Sequence, residues 1–190
     1  MLPKKFKQAL TSNDELTASI KTFNIHFFDE LIDVIRNLPY GRNSNRDELT
    51  LVLKEQKGSC SSKHALVKQI ADLNSIPNVK LILGIYKMDA INTPKIGSVL
   101  AKTNLAYIPE AHCYLNIDGM FLDITTAKSN FKNIAHDILE TIEILPEQVS
   151  KFKVTYHKSF LKSWLAKENN GLRFDEVWRL REKCITSLSQ

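Results

Sequence analysis

Apolar residues fall at Phe28, Leu31, Ile32, Ile35 and Leu38. This is the i, i+3, i+4, i+7 spacing of one helix face, and it predicts a helix over Phe28–Leu38 that Pro39 stops. The stretch from Tyr40 to Asp47 is loop-like, and Leu49 to Leu53 reads as a short helix or turn leading into Lys57-Gly58-Ser59. A second helix is expected from Ser59 or Cys60 to about Leu73, with Ser59 as its cap and Leu66, Val67, Ile70 and Leu73 towards the core. After Pro77 the period changes. Val79 to Met88 is apolar on both faces apart from Lys80 and Lys87, the pattern of a buried strand. Residues 89–103 read as a loop with a short insertion.

Ala111 to Thr125 gives the clearest hairpin, with alternating runs around the preferred two-residue turn Asp118-Gly119. Ile138 to Leu145 reads as a further short strand ended by Pro146. Glu147 to Leu188 looks helical, interrupted at Asn169-Asn170-Gly171. Helices, a strand, a hairpin and more helices make an α+β arrangement. A small antiparallel sheet with N- and C-terminal helices is expected.

The chain of 190 residues suits one domain over 1–190, with a helical C-terminal extension at about 147–188. No run of about 18 apolar residues suggests a membrane span. The basic opening Met1-Leu-Pro-Lys-Lys-Phe-Lys lacks the apolar region of a signal peptide. Three widely spaced cysteines, Cys60, Cys113 and Cys184, do not form a disulfide framework, so a reducing, cytoplasmic setting is expected. The net charge of +5 sits in the last forty residues, which hold nine Lys or Arg against four Asp or Glu. Such a tail could meet nucleic acid or an acidic partner. The simpler reading, a solvated lysine-rich helix face with Trp164, Trp178, Phe152 and Phe160 turned towards the core, is preferred, and no nucleic-acid partner is expected. Neither a metal-ligand pattern nor a glycine-rich phosphate loop appears, so no cofactor is expected.

Candidate chemistry begins at Cys60. It follows Gly58-Ser59 and opens a predicted helix, where unpaired backbone N–H groups and the helix dipole favour a thiolate. A two-residue turn at Asp118-Gly119 pairs Ile117 with Met120. Alternation then puts His112, Tyr114, Asn116, Phe121, Asp123 and Thr125 on one face, with His112 and Asp123 as diagonal neighbours. Asp123 would orient the His112 imidazole, and His112 would serve the thiol as base and then acid. Cys113 falls on the opposite face and reads as structural. His64, four residues after Cys60, is a lesser candidate base, with packing or support preferred. Gln56 is a weaker candidate oxyanion donor, read rather as an exposed glutamine. His26, His136 and His157 read as surface or core-edge residues without partners.

Gly58-Ser59-Cys60 opening a helix, then a buried strand, then His112, then Asp123-Ile124-Thr125 resembles the core of the transglutaminase-like superfamily, a papain-like arrangement. The resemblance covers about residues 48–126. It implies Cys60, His112 and Asp123 as a catalytic triad for acyl transfer on a peptide, a protein or a small amide or ester substrate, by hydrolysis or by transfer to an amine. Tyr114 stands where many members carry Trp, and the hairpin is shorter than in many relatives. The family also contains inactive members, so a non-catalytic binding module on the same fold is the alternative.

Overall fold

The computed structural model describes residues 6–168 and 171–188. The charged opening through Lys5 and the expected break at Asn169-Asn170 lie outside the described residues. Two short N-terminal helices, α1 (Glu15–Lys21) and α2 (Phe28–Asn37), precede α3 (Leu51–Lys54) and the longer α4 (Cys60–Leu73). Strand β1 (Val79–Met88) leads through a 3₁₀ turn at Pro94–Ile96 and a helical turn, α5 (Gly97–Leu100), into β2 (Ile108–Ile117). Strands β3 (Met120–Leu122) and β4 (Ile138–Ile144) follow, and α6 (Lys151–Glu168) and α7 (Phe174–Leu188) close the described chain. The fold is mixed α and β around one antiparallel sheet ordered β3-β2-β1-β4.

β1 is central in that sheet, and apolar groups cover both of its faces. Leu81, Leu83 and Ile85 pack with Leu66, Val67 and Ile70 of α4 and with α2, forming one core cluster. Tyr86 and Met88 join Ile108, Leu161, Trp164, Val177 and Ile185 in a second cluster beneath α6 and α7. A strand buried twice has no polar face, which is why its sequence does not alternate.

The hairpin register agrees with the expected pairing: Ile117 faces Met120, Asn116 faces Phe121 and Leu115 faces Leu122. Asp118 and Gly119 both have positive φ, 51° and 82°, as a type I′ turn requires. The second arm is shorter than the alternation suggests. β3 ends at Leu122, so Asp123-Ile124-Thr125 leaves the sheet, and residues 108–114 of β2 have no strand partner on that side. Two other expectations shift. Leu73 is only partly buried, and residues 89–103, read as a loop, contain the two helical turns. α1 had no counterpart in the sequence reading; Asp14 caps it by accepting from the Thr17 N–H at 2.8 Å.

Candidate active site

The N-terminal end of α4 comes against the unpaired part of β2. Ser59 caps the helix, accepting from the Ser62 N–H, while the Ser62 hydroxyl accepts from the Ser59 N–H at 3.0 Å. Those contacts use the Ser59 and Ser62 amides. The Lys63 amide bonds back to Ser59 O. Among the described residues, the Cys60 and Ser61 N–H groups are left as first-turn donors with no acceptor. Gly58 is required by close approach, because a Cβ there would lie 2.7 Å from Lys63 Cγ and 3.3 Å from Val52 Cγ1. Its backbone is held by the Gly58 N–H donating to Pro39 O and the Gly41 N–H donating to Gly58 O.

The three expected site residues come together. His112 Nε2 lies 2.9 Å from Asp123 Oδ2, and the ring is close enough to the Cys60 thiol that each group shifts the pKa of the other. Since Nε2 is taken by the carboxylate, Nδ1 is the nitrogen left for sulfur. Asp123 Oδ1 accepts from the Thr125 N–H at 2.9 Å and the Thr125 hydroxyl at 2.6 Å. Both carboxylate oxygens are thereby fixed, and the Tyr86 ring packs edge-to-face against the imidazole.

Two consecutive residues of α4 hold the segment that carries Asp123. His64 Nε2 accepts from the Ile124 N–H at 2.9 Å while its Nδ1–H donates to Cys60 O at 2.6 Å. Lys63 Nζ donates to Thr125 O at 2.7 Å and also to Leu38 O. Both side chains are wholly buried. Since both ring nitrogens of His64 are occupied, it supports Asp123 and does not serve as the base. Burial, with the charged His112 ring nearby, pushes its pKa down to about 4 against the pull of Asp123. Burial likewise brings Lys63 down to about 8.

Neutral burial of His64 predicts a pH effect on stability. The unfolded chain takes up its proton below about pH 6.5 and the folded chain only near 4, so stability falls as pH falls through that window. Denaturant melts of wild type between pH 7 and 4.5 should lose roughly 2–3 kcal/mol more than those of His64→Gln. Parallel losses in the two proteins would refute the neutral strut.

The reactive groups have displaced pKa values. The Cys60 thiol is held well below the ordinary thiol range, chiefly by a hydrogen bond with the Cys113 thiol, then against burial by the Lys153 ammonium and the His112 ring. Burial opposes charge on His112, but Asp123 and the Cys60 thiolate outweigh it and raise the ring to about 10. Asp123 is pushed well below the usual carboxylate range: burial acts the other way, and His112, His64 and Thr125 override it. All three shifts favour the charged forms, a thiolate and an imidazolium backed by a carboxylate.

Of two further sequence expectations, one holds and one is corrected. Cys113 sits in the main core on the expected face, and its thiol also approaches Ser61 Oγ at 4.0 Å beside Cys60. Parity gives the face of a strand but not what reaches its open edge. His157, read as lacking partners, is buried, donates from Nε2 to Pro109 O at 2.8 Å and packs on Trp178. His26 and His136 are exposed as expected. Gln56 is exposed and lies outside the cleft described below.

Lys153 was not anticipated. It projects from the first turn of α6, and its Nζ lies 2.7 Å from Ser61 Oγ and 3.5 Å from Cys60 Sγ. Burial disfavours its charge, but the cysteine pair and Glu110 reverse that and raise its pKa. The buried stripe of α6 is Lys153, His157, Leu161 and Trp164. Lys153 and His157 share helical spacing with the two apolar residues, and that spacing was the available signal. Reading lysine and histidine as solvated hid it.

Cys60 opens onto a cleft of about 220 Å³ between the loop after α2, the first turn of α4, and helices α6 and α7. Tyr40, Glu110, Lys153, His157, Trp178 and Arg181 line it; His112 and Asp123 do not. Glu110 and Arg181 form a buried two-point ion pair, with Arg181 Nε 2.7 Å from Glu110 Oε2, tying α7 to β2 at the cleft wall. Burial, with the negative Cys60 and Glu110 nearby, pushes the Tyr40 hydroxyl up, so it stays protonated. Among the described residues no helix is long and apolar enough to cross a membrane. Comparison with protein-family models, with curated proteins and with solved structures found nothing that matches this chain.

Proposed function

We propose that the protein is a thiol-dependent acyl-transfer enzyme acting on an amide or ester, built on a transglutaminase-like core. The observation that carries this reading is the Cys60–His112–Asp123 array, with the thiol at a helix N-terminus and His112 Nε2 2.9 Å from Asp123. The Cys60 thiolate attacks the substrate carbonyl carbon, whose π electrons move to oxygen. Collapse of that intermediate breaks the bond to the leaving group, which takes the His112 proton. Water or an amine then attacks the thioester, gives its proton back to His112 and frees the thiol. Asp123 holds the ring orientation and favours its charged form throughout. The cleft is smaller than the roughly 300–1,000 Å³ of drug-sized ligand pockets. It suits a short acyl group or one amino-acid side chain with the rest of the substrate outside.

Incubation with p-nitrophenyl acetate tests the reading. Mass spectrometry should find an acetyl group on Cys60, released over time by water, or passed to a small primary amine if the enzyme is a transferase. A chain that gains no acetyl group on Cys60 would be the non-catalytic binding module instead.

A further inference from the structure

We propose that Lys153 is a catalytic residue that donates a hydrogen bond to the oxyanion formed when Cys60 attacks its substrate. The inference rests on the acyl-transfer reading and adds a residue from outside the triad. Cys60 opens onto the cleft, and Lys153 lines that cleft with its Nζ 3.5 Å from Sγ, so a carbonyl entering it meets the ammonium beside sulfur. An ammonium has three donors in a compact head. Ser61 Oγ takes one at 2.7 Å and Cys60 Sγ a second at 3.5 Å, leaving a third with no acceptor among the described residues. When Sγ bonds to the carbonyl carbon, the carbonyl oxygen gains the π electron pair on the cleft side of the sulfur. An ammonium 3.5 Å from Sγ can then donate to it at the roughly 2.7–3.1 Å that an oxyanion hole needs.

The Cys60 N–H at the start of α4, without an acceptor among the described residues, is the second donor, so the oxyanion meets one backbone and one side-chain group. Gln56 cannot take the side-chain role, since it is exposed outside the cleft. The Ser61 hydroxyl keeps the ammonium aimed. As negative charge leaves sulfur for oxygen, Lys153 follows it without a proton changing hands, and it stays protonated when the intermediate collapses to the thioester.

Two reagents separate this role from simple support of the thiolate. Alkylation by iodoacetamide needs the thiolate but forms no oxyanion, whereas acylation by p-nitrophenyl acetate needs both. Both rates are measured across pH for wild type, Lys153→Met and Lys153→Gln, with Cys60 adducts mapped by mass spectrometry and folding checked by circular dichroism. At pH values where the thiolate is fully formed, Lys153→Met should acylate about 10²-fold more slowly than wild type, while its alkylation plateau stays close to wild type. Lys153→Gln, which keeps a neutral N–H donor, should recover part of the acylation rate but leave the pH midpoint of alkylation raised. If Lys153→Met does not fold, Lys153→Gln decides: slower acylation at an unchanged alkylation plateau supports the role. Acylation and alkylation plateaus that fall in step, or acylation that does not fall, would overturn it. A wild type that is never acylated on Cys60 would remove the acyl-transfer reading itself, and this role with it.

Discussion

Replacing Cys60 with Ala should reduce turnover of p-nitrophenyl acetate to the solvent background, a loss on the order of 10⁶-fold where nucleophile and base act as one unit. The fold should survive. Cys60 lies outside both apolar core clusters, and its loss leaves Lys153 bonded to Ser61 and His112 bonded to Asp123. Stability by denaturant melt should fall by roughly 1–3 kcal/mol, because the buried Lys153 ammonium loses its thiolate partner but keeps Ser61. Residual turnover at the wild-type rate would mean another group performs the attack. Cys113 is the relevant control, because it is the one other thiol in contact with the site. Its pKa is pushed up, first by its hydrogen bond with Cys60 and then by burial, so it should not substitute as nucleophile.

His112→Ala should be nearly as damaging, with acyl transfer falling on the order of 10⁴- to 10⁶-fold. Two separate functions disappear. The leaving group loses its proton donor, and the thiolate loses the cation beside it. Lys153 and the Cys113 thiol remain beside Cys60, so the thiol pKa should rise only part of the way to the ordinary range. That split makes the variant informative. A thiol pKa that rises while Lys153→Met also raises it would show two cations sharing the stabilisation. His64 offers no rescue, because its ring is committed to Cys60 O and the Ile124 N–H.

The features legible from sequence were those carried by local periodicity. The helix face at Phe28, Leu31, Ile32 and Ile35 is buried, and the two-residue turn set a register that places His112 beside the segment bearing Asp123. The strand itself stops before Asp123, and that contact is finished by tertiary bonds from Lys63 and His64 to Thr125 and Ile124. Such bonds span some sixty residues and have no periodic signal. The same holds for Lys153, ninety-three residues after Cys60. In sequence α6 looks like a lysine-rich solvated helix, and only packing against the α4 N-terminus shows that one of those lysines is buried beside a thiol. Burial of a charge is affordable there because the thiolate and Ser61 offset the lost hydration.

The central claim is that Cys60 and His112 exist as a thiolate–imidazolium pair. The most direct measurement is the rate of Cys60 alkylation by iodoacetamide across pH, in wild type and His112→Ala, with the adduct located by mass spectrometry and all three cysteines retained because Cys113 touches the site. The account predicts wild-type Cys60 reacting well below pH 7 and a midpoint shifted upward by His112→Ala. A Cys60 that titrates near the ordinary thiol value of about 8.5 in both proteins would contradict it.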